Sequence, residues 1–302
     1  MDMQKLGSSD LRVSSIGLGC VTFGREIDEP TSFKVLDHAL GCGINLLDTA
    51  EAYAAGASEE VVGRWLQKSG RRDQVVLATK VAGALTKERI IGSAEASLKR
   101  LKTDHIDLFQ LHHWDANVPL DEIALALETL VNQGKVRYVG CSNYSATQLA
   151  EMLTMQKAMS FNMMVSIQPS YNLVQREIEA ETIPLCLKEE IGVLSFSPLG
   201  AGFLTGKYSK GGGIPAGTRF DIMPAHQDVY FSDENFAIVE TLRSQATASG
   251  ISMAQLALAW VLNRPGITSV LIGARNTDQV DQAFTAENLS RQSEIQTVLT
   301  KL

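Results

Sequence analysis

Asn45-Leu46-Leu47-Asp48-Thr49-Ala50-Glu51-Ala52-Tyr53 is a short apolar run that ends in an acid, with a phenol five residues further on. A small-residue loop follows (Ala54, Ala55, Gly56, Ala57). Ser58-Glu59-Glu60 then reads as a helix start, Ser58 as the N-cap and the acids in the first turn. An acid at the C-terminal end of a strand, with a phenol just beyond, lies where α/β proteins carry chemistry. A capping Asp and a packing Tyr are the plainer alternative for this segment taken alone.

The same strand-then-helix unit repeats in both directions. Upstream, Ile16–Gly19 reads as a strand and Thr31–Gly41 as the helix leading to Asn45–Thr49. Downstream, helix Ser58–Lys68 leads to strand Val75–Lys80, and helix Thr86–Leu101 to strand Ile106–His112. Helix Leu120–Gln133 precedes strand Val136–Ser142, and helix Ala146–Met159 precedes Val165–Gln168. Helix Glu177–Glu190 precedes Val193–Ser197. Two helices, Asp233–Ser249 and Ser252–Leu262, come before Ser269–Ile272, and a last helical region starts at Asn276. Eight such units predict a (β/α)8 TIM barrel. Gln4–Val13, with Gly-Ser-Ser-Asp between short alternating runs, predicts a β-hairpin that closes the barrel bottom. The chain has 302 residues and no evident linker, so residues 1–302 are expected to form one domain.

Composition narrows the partners. A net charge of −7 argues against generic nucleic-acid or membrane-surface binding. No apolar run approaches the roughly 18 residues of a membrane span, and Met1–Lys5 lacks a signal-like apolar region. Cys20, Cys42, Cys141 and Cys186 are scattered, which suits buried thiols in a reducing compartment. A cytoplasmic protein is expected, a monomer or weak homo-oligomer acting on a small molecule.

Two phosphate-binding patterns fail on inspection. Gly17-x-Gly19 begins a dinucleotide fingerprint, but position 22 is Thr and Pro30 separates it from the next helix. Gly202-Phe-Leu-Thr-Gly206-Lys207 has three spacers where a P-loop needs four, with Tyr208 in place of Ser or Thr.

In a closed barrel the C-terminal strand ends share one rim. Asp48, Lys80 and His112 end three neighbouring strands, and Tyr53 joins them from a loop. This set suits carbonyl reduction, in which a phenol gives a proton while hydride reaches the carbon. A free phenol, pKa about 10, is a poor acid, and a nearby ammonium is expected to lower that value. Asp48 would orient Lys80, and His112 would direct the carbonyl oxygen and share in proton movement. His112 and His113 are neighbours on a predicted strand, so they should face opposite sides, with His112 sharing the phase of Gln110. No third ligand accompanies them, and no metal site is expected.

These stretches resemble the aldo-keto reductase superfamily in order and spacing. The likeness runs on through Val139–Asn143, Gln168-Pro-Ser-Tyr-Asn172, Ser195–Lys207 and Ile272–Arg275. It implies Tyr53 as acid/base, Lys80 and Asp48 as its modulators, and His112 as substrate director. It also implies a nicotinamide cofactor at the rim, NADP(H) preferred and NAD(H) the alternative. Ser142, Asn143 and Gln168 offer polar groups to a carboxamide, and Phe196 a face for stacking. Gly19, Cys20 and Val21 would line the first strand end, and Ser197, Leu199, Gly200 and Gly202, in one loop with Pro198, would offer backbone amides to a pyrophosphate. Lys207, Gly273, Arg275, Gln279 and Gln282 complete the expected cofactor set, with Arg275 the candidate for a 2′-phosphate. Many relatives carry Lys-Ser at Gly273-Ala274 and Glu-Asn at Gln282-Ala283, so Arg275 carries more of the NADP preference here. Val21, Phe23, Tyr53, His112, His113 and Trp114 are the expected substrate lining. Two other readings compete. A class I aldolase would use Lys80 as a Schiff base, which Asp48 opposes by raising its pKa. A cofactor-binding regulatory or redox-sensing subunit with slow turnover is the second.

Overall fold

Parallel strands bury both faces, so short runs rich in Val, Ile and Leu close on themselves rather than leave an edge. In the computed structural model, which describes residues 1–302, the strands are β1 (Met3–Lys5), β2 (Arg12–Ser14), β3 (Ile16–Gly19), β4 (Leu46–Asp48) and β5 (Val76–Val81). They continue as β6 (Ile106–Leu111), β7 (Val136–Ser142), β8 (Met164–Gln168), β9 (Gly192–Ser195) and β10 (Ile267–Gly273). Strands β3 to β10 form a closed parallel barrel in sequence order, β10 pairing back onto β3. Outside it lie α1 (Glu29–Gly41), α2 (Ala57–Ser69), α3 (Lys87–Leu101), α4 (Leu120–Asn132), α5 (Ala146–Ala158) and α6 (Thr182–Lys188). The chain adds α7 (Arg219–Ile222), α8 (Gln227–Tyr230), α9 (Asp233–Ser249), α10 (Met253–Leu262), α11 (Thr277–Ser290) and α12 (Ser293–Leu299). The (β/α)8 architecture is the one expected. No helix is long and apolar enough to cross a membrane.

The antiparallel pair β1–β2 brings Leu6, Leu11 and Val13 into one cluster with Leu46, Val76, Leu108, Val165, Leu194 and Leu271. The hairpin thus fills the barrel base, each such side chain contributing about 1.5–3 kcal/mol of burial. Gly7 permits this seating: its φ is +55°, and a Cβ there would lie 2.2 Å from the Val165 carbonyl oxygen. Register then lifts polar groups to the other end. Leu46 and Val76 are paired low in the barrel, while Lys80 is paired with Gln110 near the top.

Several local expectations change. Ser58 does not cap α2; Gly56, at φ +92°, is the N-cap, and Ser58 is buried one residue inside the helix. α1 begins at Glu29 with Asp28 as its cap, because Pro30 fits a first turn that needs no amide from it. The helix expected over Glu177–Glu190 is broken into a 3-10 turn at Glu177–Glu179 and the short α6, with Pro184 in its first part. β9 stops at Ser195, and Cys42 is only half-buried. The long connection after β9 is folded: Phe203, Tyr208, Phe220, Tyr230, Phe231 and Phe236 pack ring on ring at 4.8–5.9 Å.

Candidate active site

At the top of the barrel Lys80 Nζ donates to Asp48 Oδ2 at 2.5 Å, to the Thr49 carbonyl at 3.0 Å and to the Tyr53 hydroxyl at 3.2 Å. The other Asp48 oxygen accepts from Gln110 Nε2 at 3.1 Å and Gln168 Nε2 at 2.8 Å. Gln168 also donates to Gln110 Oε1 at 3.2 Å. Lys80 and Gln110 are wholly buried, Asp48 and Gln168 nearly so. A buried charge pair is tolerable only with its remaining valences filled, and the two amides fill those of Asp48.

Tyr53 is held by its loop. Thr49 N donates to the Ala78 carbonyl and Glu51 N to that of Lys80, continuing the β4–β5 ladder beyond its end. Ser58 Oγ bonds the Cys20 carbonyl at 2.7 Å and lies 2.9 Å from Thr49 Oγ1. The Glu51 carboxylate accepts from Ala82 N at 2.8 Å and Ser93 Oγ at 2.7 Å and pairs with Arg89. Ala54 and Ala55, at φ +51° and +53°, turn the chain from Tyr53 into α2. Such left-handed residues cost on the order of 1 kcal/mol each, which these anchors offset.

Burial alone would discharge Lys80, but Asp48 and then Tyr53 outweigh it, and its pKa ends above the usual lysine value. A Lys80 that stays charged at neutral pH is a poor Schiff-base amine, which counts against the aldolase reading. Burial is also the largest influence on Tyr53 and raises its pKa; Lys80 pulls it down and Asp48 adds to the rise, for a net increase. The expected net lowering by Lys80 is therefore corrected. The phenol keeps its proton at neutral pH. His112 is pushed down to about 3 by burial, then by Lys80 and His113, so its imidazole is neutral. It can orient an oxygen by hydrogen bond but does not serve as an imidazolium acid.

The two histidines do not face opposite ways. β6 ends at Leu111, strand alternation ends with it, and the rings of His112 and His113 stack at 4.7 Å and 0°. His112 lies between: its ring meets Tyr53 edge-on at 5.9 Å, and its Nδ1 is buried with no partner. His113 is exposed. His112→Ala is expected to slow reduction by about a hundredfold, the scale of one lost oxyanion-type donor. His113→Ala should change it by less than about fivefold, and the wild-type rate should show no inflection near the ordinary histidine pKa. Steady-state rates from about pH 5 to 8 decide both.

The other expected residues divide. Asn143 is exposed at φ +58°, its Nδ2 donating to the His112 carbonyl at 2.9 Å, whereas Ser142 is buried and bonds the Gln168 carbonyl at 2.7 Å. Phe196, Ser197, Leu199 and Gly202 are half-buried along the rim side of the long loop, and Pro198 and Gly200 are buried. The amides of Gly200 and Gly202 already donate to the Ser197 and Leu199 carbonyls, so these two are not free anion donors. Gly19 and Val21 are half-buried, but the Cys20 and Phe23 side chains are wholly enclosed and do not line the mouth. Trp114 is half-buried, edge-on to Tyr144 at 5.1 Å. Gly273, Gln279 and Gln282 are exposed; a Cβ at Gly273 would meet nothing within 4 Å, and Gln279 Oε1 accepts from Arg275 N at 2.8 Å.

A cluster of cations gathers on this side that sequence reasoning only touched. Arg275 pairs with Glu26 Oε2 at 2.7 Å, and Arg219 reaches Glu26 Oε1 at 3.7 Å beside Arg25. Burial, and then the charge of Arg275, lower the Lys207 pKa, so Lys207 belongs to the same field. Burial and then Arg25 likewise lower that of Arg219, which also feels Tyr53. Three arginines around Glu26, open space beside Gly273 and a Gln168 Oε1 that accepts no hydrogen bond within the protein fit a phosphate-bearing dinucleotide. Gln110, Glu26 and Arg219 were missed. Gln110 had a signal, two residues before His112 and opposite Lys80; Glu26 and Arg219 lie in loops and had none.

With this geometry in hand, comparison with known proteins is specific. A sequence model described as the aldo/keto reductase family matches residues 15–298. An uncharacterized oxidoreductase YrpG of Bacillus subtilis is 36% identical, covering 100% of this chain and 96% of its own length. The aldo-keto reductase YhdN of the same organism is 35% identical over 93% of this chain and 87% of its own. A probable voltage-gated potassium channel subunit beta of Oryza sativa subsp. japonica is also 35% identical, over 93% and 89%.

Proposed function

The chain belongs to the aldo/keto reductase family, and from that premise we propose that it reduces an aldehyde or ketone to an alcohol, preferring NADP(H) and taking the proton from Tyr53. Membership alone makes it a nicotinamide-dependent oxidoreductase. The finer reading is carried by one observation: Lys80 Nζ touches both Asp48, at 2.5 Å, and the Tyr53 hydroxyl, at 3.2 Å.

A bound reduced nicotinamide supplies the hydride. Tyr53 holds its proton at neutral pH and releases it towards a carbonyl oxygen as negative charge develops there. Lys80, kept charged by Asp48, stabilises the phenolate left behind. Neutral His112 orients the oxygen. Asn143 and Gln168 would hold the carboxamide, Phe196 would offer its ring, and Lys207, Arg219 and Arg275 would hold phosphates. NADPH consumption against a panel of aldehydes and ketones, repeated with NADH, tests this. A folded protein that binds NADPH yet turns over none of them would instead support a regulatory subunit, the reading favoured by likeness to the rice channel protein. The complete Asp48–Lys80–Tyr53 contact set favours the enzyme.

Cofactor choice gives a second test. Arg275 offers a fork of N–H donors that suits a phosphate dianion better than a ribose hydroxyl. Arg275→Ala is expected to weaken NADPH binding by about 2 kcal/mol, the scale of one charge-assisted contact, and to leave NADH nearly unchanged. Equal weakening of both in a fluorescence titration would sink the 2′-phosphate assignment.

A further inference from the structure

Glu26 sits in the loop after β3, its side chain 12% exposed, and its two oxygens do different things. Oε1 faces Arg25 and Arg219, while Oε2 alone holds Arg275 at 2.7 Å. The contact is made by one nitrogen of Arg275, Nη2, and a phosphate dianion drawn to the same guanidinium would compete with the Glu26 carboxylate for it. Releasing Arg275 would not strand Glu26, because Oε1 keeps its own two arginines.

We propose that the Glu26 carboxylate is an internal stand-in for the cofactor 2′-phosphate, occupying Arg275 until that phosphate displaces it, and so limits the preference for NADPH over NADH. This rests on the assignment of Arg275 to the 2′-phosphate. NADH brings only a hydroxyl there, competes weakly for the guanidinium, and leaves the Glu26–Arg275 pair in place. Glu26 is thereby a specificity-determining residue that need not touch the reacting atoms.

Binding is measured by titration of NADPH, NADH and adenosine 2′,5′-bisphosphate, the last a probe independent of nicotinamide and turnover. Glu26→Gln is expected to tighten NADPH and the bisphosphate by about tenfold, the scale of one charged contact, with NADH within about twofold. In an Arg275→Ala background the same change should alter none of the three by more than about twofold. Glu26→Asp, too short to span both sides, should shift NADPH in the same direction and guards against a folding defect in Glu26→Gln. Weakening of both cofactors by Glu26→Gln would make Glu26 a loop clasp and overturn the proposal. Tightening that persists without Arg275 would also overturn it, reducing the effect to through-space repulsion. A wild-type protein indifferent to the 2′-phosphate would remove the Arg275 assignment and this proposal together. An NADPH-preferring protein unmoved by Glu26→Gln would remove this proposal alone.

Discussion

Tyr53→Phe is expected to leave the fold and NADPH binding intact while reduction falls by about 10²–10⁴-fold, the usual contribution of a positioned general acid. The change deletes one hydroxyl, whose protein partner is Lys80 Nζ at 3.2 Å. Lys80 keeps Asp48 and the Thr49 carbonyl, so the buried ammonium stays paired and the barrel top has no reason to move. The ring remains edge-on to His112. Single-turnover and steady-state rates with a reactive aldehyde, beside a cofactor titration, separate the two readouts. Near-normal turnover by a folded variant that binds NADPH would refute Tyr53 as the proton donor.

Asp48→Asn should do the most damage to stability, and to activity with it. It leaves the Lys80 charge wholly buried without its counter-ion, and the one amide oxygen cannot accept from both Lys80 on one side and Gln110 and Gln168 on the other, so an NH2 faces a donor either way. Removing one partner of a buried pair typically costs about 3–5 kcal/mol. The pH dependence should change sign as well. In the wild type the Lys80 pKa is raised, so its contribution is complete below the unfolded value of about 10.4 and is lost only as pH climbs through the higher folded value. Without Asp48, burial is left as the largest influence on Lys80 and its folded pKa falls below the unfolded one. Stability should then rise with pH up to about 10.4. Urea midpoints of the two proteins from neutral to alkaline pH should show these opposite slopes. Adding Lys80→Met should recover much of the stability and none of the activity, since removal of a whole buried pair is often close to neutral. Parallel pH profiles would mean that Asp48 does not govern Lys80.

The barrel was legible because its signal is local and repeated: eight apolar runs, each followed by a helical period, leave a parallel ring as the economical way to bury both faces. Asp48, Lys80 and His112 were legible for the same reason, since strand ends in such a ring converge without any knowledge of loops. Where the strand ends, that logic ends too. His112 and His113 stack because β6 stops at Leu111, and no parity rule reaches past that point. Phe23 turned inward, away from the mouth, because its side chain joined the main core beyond β3. The direction of the Tyr53 pKa was a contest between an ammonium visible in the sequence and a burial that only packing creates, and burial prevailed. The gathering of Glu26, Arg219 and Arg275 from loops nearly two hundred and fifty residues apart has no sequence pattern at all. Charge pairs of that kind depend on distance in space, and the closure of the barrel, which brings β10 beside β3, is what sets that distance.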